Sequence, residues 1–272
     1  MTKTTPKNEF KTKLQTGTKQ LGVWLAMGNS ISAEICAGAG YDFAVIDTEH
    51  GASHSSALNS QLQAIAGYQT CDELVRAPSS DPVILRQIID AGARSILVPM
   101  VNTPEQAASI VKACRFPPQG ERGIGSSRAA RWGRYSDYYQ RANAELCIMV
   151  QIETVLAMDN LEAITNVEGV DGVFIGAADL AASMGYIGRT TDPVVLEAVT
   201  DCIRHITALG KPAGSLIMDT AFAIELMNEG ASFIAVTIDS KLLMTSLEKV
   251  LVRTKTLMSK RLKKQSTLKD TL

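Results

Sequence analysis

Four short segments carry polar groups where an apolar run ends: Ile46-Asp47-Thr48-Glu49-His50-Gly51, Val75-Arg76, Val150-Gln151-Ile152-Glu153-Thr154 and Phe174-Ile175-Gly176-Ala177-Ala178-Asp179-Leu180. Asp47 and His50 share one of them, three residues apart. An imidazole titrates near neutrality, so His50 beside a carboxylate is the natural candidate for a general base. The other histidines are weaker candidates. His205 falls inside the helical run Cys202-Ile203-Arg204-His205-Ile206, and His54 follows the loop, where it can simply start a helix. Arg76 offers a fixed charge and forked donors for a carboxylate or enolate oxygen. Glu153 and Asp179 end consecutive segments and supply two hard oxygen ligands. That set leaves four octahedral positions for water and substrate, which suits Mg²⁺, Mn²⁺ or a similar ion. No His/Cys cluster suggests a zinc cage. Spacing alone keeps the plainer reading open, because a single acid at such a place is commonly a helix cap or an ion-pair partner.

Lysine placement bears on mechanism. None occurs between Lys19 and Lys112, nor between Lys112 and Lys211. Lys211 precedes an apolar run and Lys241 falls at the start of a final helix, so imine chemistry is disfavoured. Metal-assisted carbonyl chemistry is the better fit.

These groups need a scaffold that brings several strand ends together. Short Val/Ile-rich runs alternate with helix-length amphipathic stretches along the chain. Strands are expected near residues 21–27, 43–47, 73–76, 95–101, 146–152, 172–175, 212–216 and 233–237. Runs such as Cys147-Ile-Met-Val and Phe233-Ile-Ala-Val are apolar on both faces, as parallel strands covered on each side must be. Ser32 is placed to cap a helix ending at Ala39. Asp81-Pro82, Thr103-Pro104 and Asp192-Pro193 pair an N-cap with proline at the first helical position. Eight such alternations predict an α/β fold, the (β/α)8 TIM barrel, whose site lies at the carboxyl ends of the strands. An open doubly wound sheet is the alternative, but no Gly-x-Gly-x-x-Gly follows the first strand. The Pro/Gly-rich stretch from Phe116 to Ser127 is expected as an extended loop.

The chain has 272 residues, 46% of them hydrophobic, which excludes bulk disorder. Charge is uneven: residues 1–20 carry five lysines against Glu9, and residues 251–272 carry seven Lys/Arg against Asp270. The expected organisation is a basic, solvated N-terminal segment (1–20), a barrel (21–250) and a basic C-terminal helix or tail (251–272). The acidic body offers no footprint for nucleic acid. No apolar run reaches membrane-spanning length, and the N-terminus has no secretory h-region. Five cysteines without a Cys-x-x-Cys pair point to a reducing cytoplasm.

Ile46-Asp-Thr-Glu-His-Gly, Leu97-Val-Pro-Met, Arg122-Gly-Ile-Gly-Ser, Val150-Gln-Ile-Glu-Thr and Gly169-Val-Asp-Gly-Val-Phe-Ile-Gly-Ala-Ala-Asp-Leu resemble the HpcH/HpaI aldolases, class II pyruvate aldolases of the phosphoenolpyruvate/pyruvate barrel superfamily. The likeness runs in order from about Leu21 to Leu247. It implies reversible cleavage of 4-hydroxy-2-oxo acids, of the oxoheptanedioate or 2-keto-3-deoxy sugar-acid kind, to pyruvate and an aldehyde. It implies a divalent cation (Mg²⁺, Mn²⁺ or Co²⁺) on Glu153 and Asp179, His50 as proton acceptor and Arg76 as stabiliser of the enolate. Gln151, Leu216 and the backbone N–H groups of Ala178 and Asp179 would bind substrate. Asp47 would partner the histidine from its own loop, and Asp90 would raise its basicity across a subunit boundary in a homohexamer with exchanged C-terminal helices. Oxaloacetate decarboxylase and citryl- or malyl-CoA lyase are the alternative lyases, and an idle binding barrel is the non-enzymatic one. The chain departs from the family pattern at Ala177, where proline is usual, at Thr237, where glycine is frequent, and at Ser53-His-Ser-Ser, which replaces an Asn-rich stretch and could alter aldehyde specificity.

Overall fold

The computed structural model describes residues 3–52, 55–125 and 127–269, with the side chains of 55–56 and 261–269 outside that description. His54 and most of the Ser53-His-Ser-Ser departure therefore lie outside the described residues. Eight parallel strands close into a barrel in sequence order: β1 Gln20–Leu25, β2 Phe43–Asp47, β3 Asp72–Arg76, β4 Ser95–Val98, β5 Cys147–Ile152, β6 Gly172–Ile175, β7 Ala213–Leu216 and β8 Phe233–Ile238. The helices are α1 Glu9–Gln15, α2 Ser30–Ala37, α3 Ser55–Ile65, α4 Pro82–Asp90, α5 Pro104–Cys114, α6 Tyr138–Glu145, α7 Val155–Asp159, α8 Leu161–Thr165, α9 Ala177–Ser183, α10 Pro193–Ala208, α11 Thr220–Asn228 and α12 Asp239–Lys269. This is the expected (β/α)8 barrel.

Strand periodicity divides the core in two. Ala44 and Ile46 of β2 face outward into a cluster shared with the surrounding helices. Phe43 and Val45 point inward, with Trp24, Leu74, Leu97, Met149, Phe174 and Phe233. The inner rings need room. A Cβ at Gly22 would lie 2.3 Å from the Phe43 ring, and one at Gly214 2.5 Å from that of Phe233.

The expectation of a solvated N-terminal segment fails for residues 5–15. α1 packs under the barrel, and Phe10, fully buried, sets its ring 5.3 Å from Phe43 and 5.7 Å from Phe233 between centroids. Asn8 caps the helix and also donates to the Arg94 carbonyl at 2.8 Å. Lys11 donates to the Leu146 carbonyl at 2.7 Å and pairs with Asp171 at 3.1 Å. Its charge is satisfied by the barrel floor rather than by water.

One local reading is also corrected. Asn29, in extended conformation, caps α2 by accepting from the N–H groups of Ile31 and Ser32. Ser32 is already in the first turn, and its hydroxyl bonds the Asn29 carbonyl and Asp239. The stretch from Phe116 to Ser127 forms no helix or strand where it is described, as expected; beyond it lie a 3-10 turn at Arg128–Ala130 and α6, which the low apolar content of Tyr138–Glu145 concealed. α12 runs without a break through position 250, and Leu242, Leu243, Leu247, Val250 and Leu251 are exposed along it. Among the described residues no helix is long and apolar enough to cross a membrane.

Candidate active site

β2 and β3 run in register, so Asp47 and Arg76 stand opposite each other at the carboxyl rim. Arg76 grips Asp47 with a fork, Nε donating to Oδ1 at 3.0 Å and Nη2 to Oδ2 at 2.7 Å. The Trp24 indole N–H donates to the same carboxylate at 3.1 Å, and the guanidinium lies 4.7 Å over the Trp24 ring. Burial alone would raise the Asp47 carboxyl, but these donors outweigh it and hold the group below the usual carboxylate range. Asp47 meets His50 only through the backbone, accepting its N–H at 3.2 Å. Both Asp47 oxygens accept from Arg76, and no side-chain contact joins Asp47 to the imidazole among the described residues.

The carboxylate facing the imidazole is Glu49, one position before His50. Its Oε2 is 3.9 Å from His50 Nε2 and 3.0 Å from Arg76 Nη1. Burial raises the Glu49 carboxyl against the opposing pull of Arg76 and His50, and the charges of Asp47 and Asp179 add to the rise. The His50 side chain is 68% exposed, open to whatever occupies the rim. Glu49 went unassigned in the sequence although it sits in the same run. Its role depends on which way the loop turns after β2, and no periodicity encodes that.

On the opposite side, Gln151 near the end of β5 and Glu153 just beyond it are both almost fully buried. Glu153 Oε1 accepts the Met100 N–H at 2.6 Å, and Oε2 accepts from the Gln151 amide. Met100 takes φ 56°, a left-handed conformation that costs a side-chain-bearing residue energy and here aims its N–H at the carboxylate. Burial pushes the Glu153 carboxyl up to about 7; the two donors oppose this, while Asp179 and Glu49 reinforce it. Asp179 is exposed in the first turn of α9, whose N-cap, Gly176, supplies no side-chain acceptor. A Cβ at Gly176 would lie 2.6 Å from Glu153 Oε2 and 2.7 Å from Gln151 Nε2, so only glycine leaves that space clear.

These features fit a divalent cation. Glu153 has no cationic partner among the described residues, two further carboxylates act on it, and the buried Gln151 Oε1 lacks a hydrogen-bond partner. Among those residues no three His, Cys, Asp or Glu side chains form a complete cage. The donor set is thus an open one, two carboxylates with room for exogenous ligands.

The sequence profile of the family described as HpcH/HpaI aldolase/citrate lyase matches residues 20–246, nearly the whole barrel. This chain belongs to that family. It is 48% identical over 238 residues to a 4-hydroxy-2-oxovalerate aldolase of Rhodococcus jostii (strain RHA1), covering 88% of this chain and 92% of that one. A 2-keto-3-deoxy-L-rhamnonate aldolase of Salmonella paratyphi A is 45% identical over 254 residues, covering 93% and 95% respectively. A crystal structure of an HpcH/HpaI aldolase/citrate lyase family protein from Burkholderia cenocepacia J2315 superposes with a TM-score of 0.88 at 36% identity, over 91% of this chain and 99% of the other.

Other residues singled out in this HpcH/HpaI chain lie apart from the rim. Asp90 is the last residue of α4, and helices of such a barrel run back to its amino face, so within one chain it lies opposite the strand ends. There it accepts from Arg122 Nη2 at 2.6 Å. Leu216 is half-buried at the end of β7, against the inner barrel cluster. His205 lies on α10, 3.7 Å from Glu162. Lys241 is exposed on α12.

Proposed function

We propose that this aldolase cleaves 4-hydroxy-2-oxo acids reversibly to pyruvate and an aldehyde, with a divalent cation held by Glu153 and Asp179. The observation that carries the reading is the buried Glu153 carboxylate, without a cationic side-chain partner among the described residues and acted on by the charges of Asp179 and Glu49. Mg²⁺, Mn²⁺ or Co²⁺ bound there would polarise the 2-oxo group and offset negative charge as it develops.

His50 accepts the proton of the C4 hydroxyl. The C3–C4 bond then breaks, the aldehyde departs, and the electron pair remains on the three-carbon fragment as an enolate. Protonation at C3 gives pyruvate. Arg76 has five N–H donors, and three hold Asp47 and Glu49. The two that remain are fixed in direction before substrate arrives, the arrangement that stabilises a developing oxyanion most effectively. Gln151 and the uncapped N–H groups of Ala178 and Asp179 bind the carboxylate end. Leu216 borders the aldehyde side. Asp90 acts on the histidine of a neighbouring copy in a homo-oligomer whose contacts include the apolar face of α12. The four buried cysteines and the half-buried Cys36, all unpaired, accord with a cytoplasmic setting.

Pyruvate release from a panel of 4-hydroxy-2-oxo acids, coupled to lactate dehydrogenase, tests the proposal. Chelation should abolish turnover, Mn²⁺ should restore it, and borohydride should trap nothing. Full turnover after exhaustive chelation, or borohydride labelling at Lys241, would overturn it. Turnover of oxaloacetate alone would favour the decarboxylase alternative.

A further inference from the structure

One sizeable cavity is not at the rim. It lies at the amino face of the barrel, about 580 Å³ in volume, between the starts of β3 and β4, the end of α4, residues 5–9 and the 3-10 turn at Arg128–Ala130. Its charged lining is mostly settled by internal pairs. Glu73 and Asp72 lie 3.1 and 3.7 Å from Arg94 Nη2, and Asp72 is also 3.6 Å from Lys13. Glu145 is held by Arg141 and the Asn8 N–H. At the margin, Lys7 and Glu9 balance each other in sign.

Two guanidiniums are left over. Arg128 donates through Nη1 to the Ala91 carbonyl at 2.6 Å, while its Nε is buried without a partner. Arg131 sits three positions on, in a left-handed conformation (φ 48°), with no side-chain hydrogen bond or ion pair among the described residues. Burial, and then the charge of Arg131, pull the Arg128 guanidinium below its usual range, with Glu73 and Tyr135 opposing. A third arginine, Arg122, lines the same space with its Nε buried and unpartnered. The backbone makes room for this cluster, because a Cβ at Gly92 (φ +103°) would lie 2.5 Å from Arg128 Nη1. Adjacent like charges with unfilled donors cost energy unless an anion joins them.

We propose that this cavity binds a small oxyanion, a phosphate- or carboxylate-bearing metabolite, between Arg128 and Arg131, at the end of the barrel opposite the active-site rim. Planar guanidinium forks suit either group, and the Tyr68 and Tyr135 rings give the rest of such a molecule an apolar wall.

Calorimetric titration of the full chain with inorganic phosphate and, separately, malonate, at ionic strength held constant with chloride, tests this. One equivalent per chain should bind, with Arg131→Ala and Arg128→Lys each weakening it at least ~10-fold, while Arg131→Ala leaves aldolase turnover in anion-free buffer unchanged. Preference for phosphate or for malonate identifies the source of the oxyanion. Absence of binding to the parent chain, or equal affinity in Arg131→Ala, would overturn the proposal. So would an Arg131→Ala chain that changes its sedimentation but not its anion affinity, since the arginines would then be meeting acids of a second copy.

Discussion

The two ends of the barrel solve opposite electrostatic problems. At the floor, buried or half-buried acids meet cations: Asp171 with Lys11, Glu73 with Arg94, Asp90 with Arg122. At the rim, Asp47, Glu49, Glu153 and Asp179 crowd around a single buried arginine and one exposed histidine. Paired floor charges and the aromatic plug of α1 contribute to stability. Unbalanced rim charges detract from it, and the deficit is what a cation and an anionic substrate can use. Within one chain, and leaving aside the role proposed for Asp90 on a neighbouring copy, stability and chemistry are thus spatially separated.

Substitutions that touch one end only can break that separation. The largest expected effect is at the rim: His50→Ala should lower turnover by ~10²–10⁴-fold. The exposed imidazole buries little, so the melting temperature should hold. A matching loss of stability in thermal denaturation would mean that His50 is structural. Phe10→Ala at the floor should do the reverse, destabilising by ~3–5 kcal/mol in denaturant unfolding with per-molecule turnover retained.

A subtler contrast is in pH. Glu153 is held at about 7 against an ordinary 4.5, so the folded chain binds its proton more tightly than the unfolded one. The metal-free protein should keep this contribution in full below about 4.5 and lose up to ~3 kcal/mol as pH rises through 7. Glu153→Gln should flatten the profile, and added Mn²⁺ should flatten it by neutralising the carboxylate. A parent profile already flat over that interval would contradict the assignment. The smallest effect is expected at Thr103, whose capping box with Gln106 starts α5 beside the rim. Thr103→Ala should cost ~1 kcal/mol in stability and leave turnover nearly unchanged.

How much of this was legible in the sequence depends on what repeats. β2, β5 and β6 are continuous apolar runs, and Asp81-Pro82 and Asp192-Pro193 are local signals, so barrel and helix starts could be read directly. The acids at strand ends stood out because the strands before them are so uniformly apolar. Their pairing did not. The Asp47–Arg76 fork arises from the register between two strands, and the approach of Glu49 to His50 from a loop without periodicity. Phe10 was concealed among lysines, and its partners Phe43 and Phe233 are distant along the chain. The surplus of Arg128 and Arg131 is visible only once every neighbouring acid has been matched with its own cation.

Met100 has one more implication. The donor it lends to Glu153 belongs to the main chain, so no codon change at position 100 short of proline deletes it. What mutation can alter there is the ease with which the chain bends into place. Glycine or asparagine would relax the turn, bulky β-branched residues would tighten it, and the carboxylate's anchor would persist while its neighbours in sequence drift.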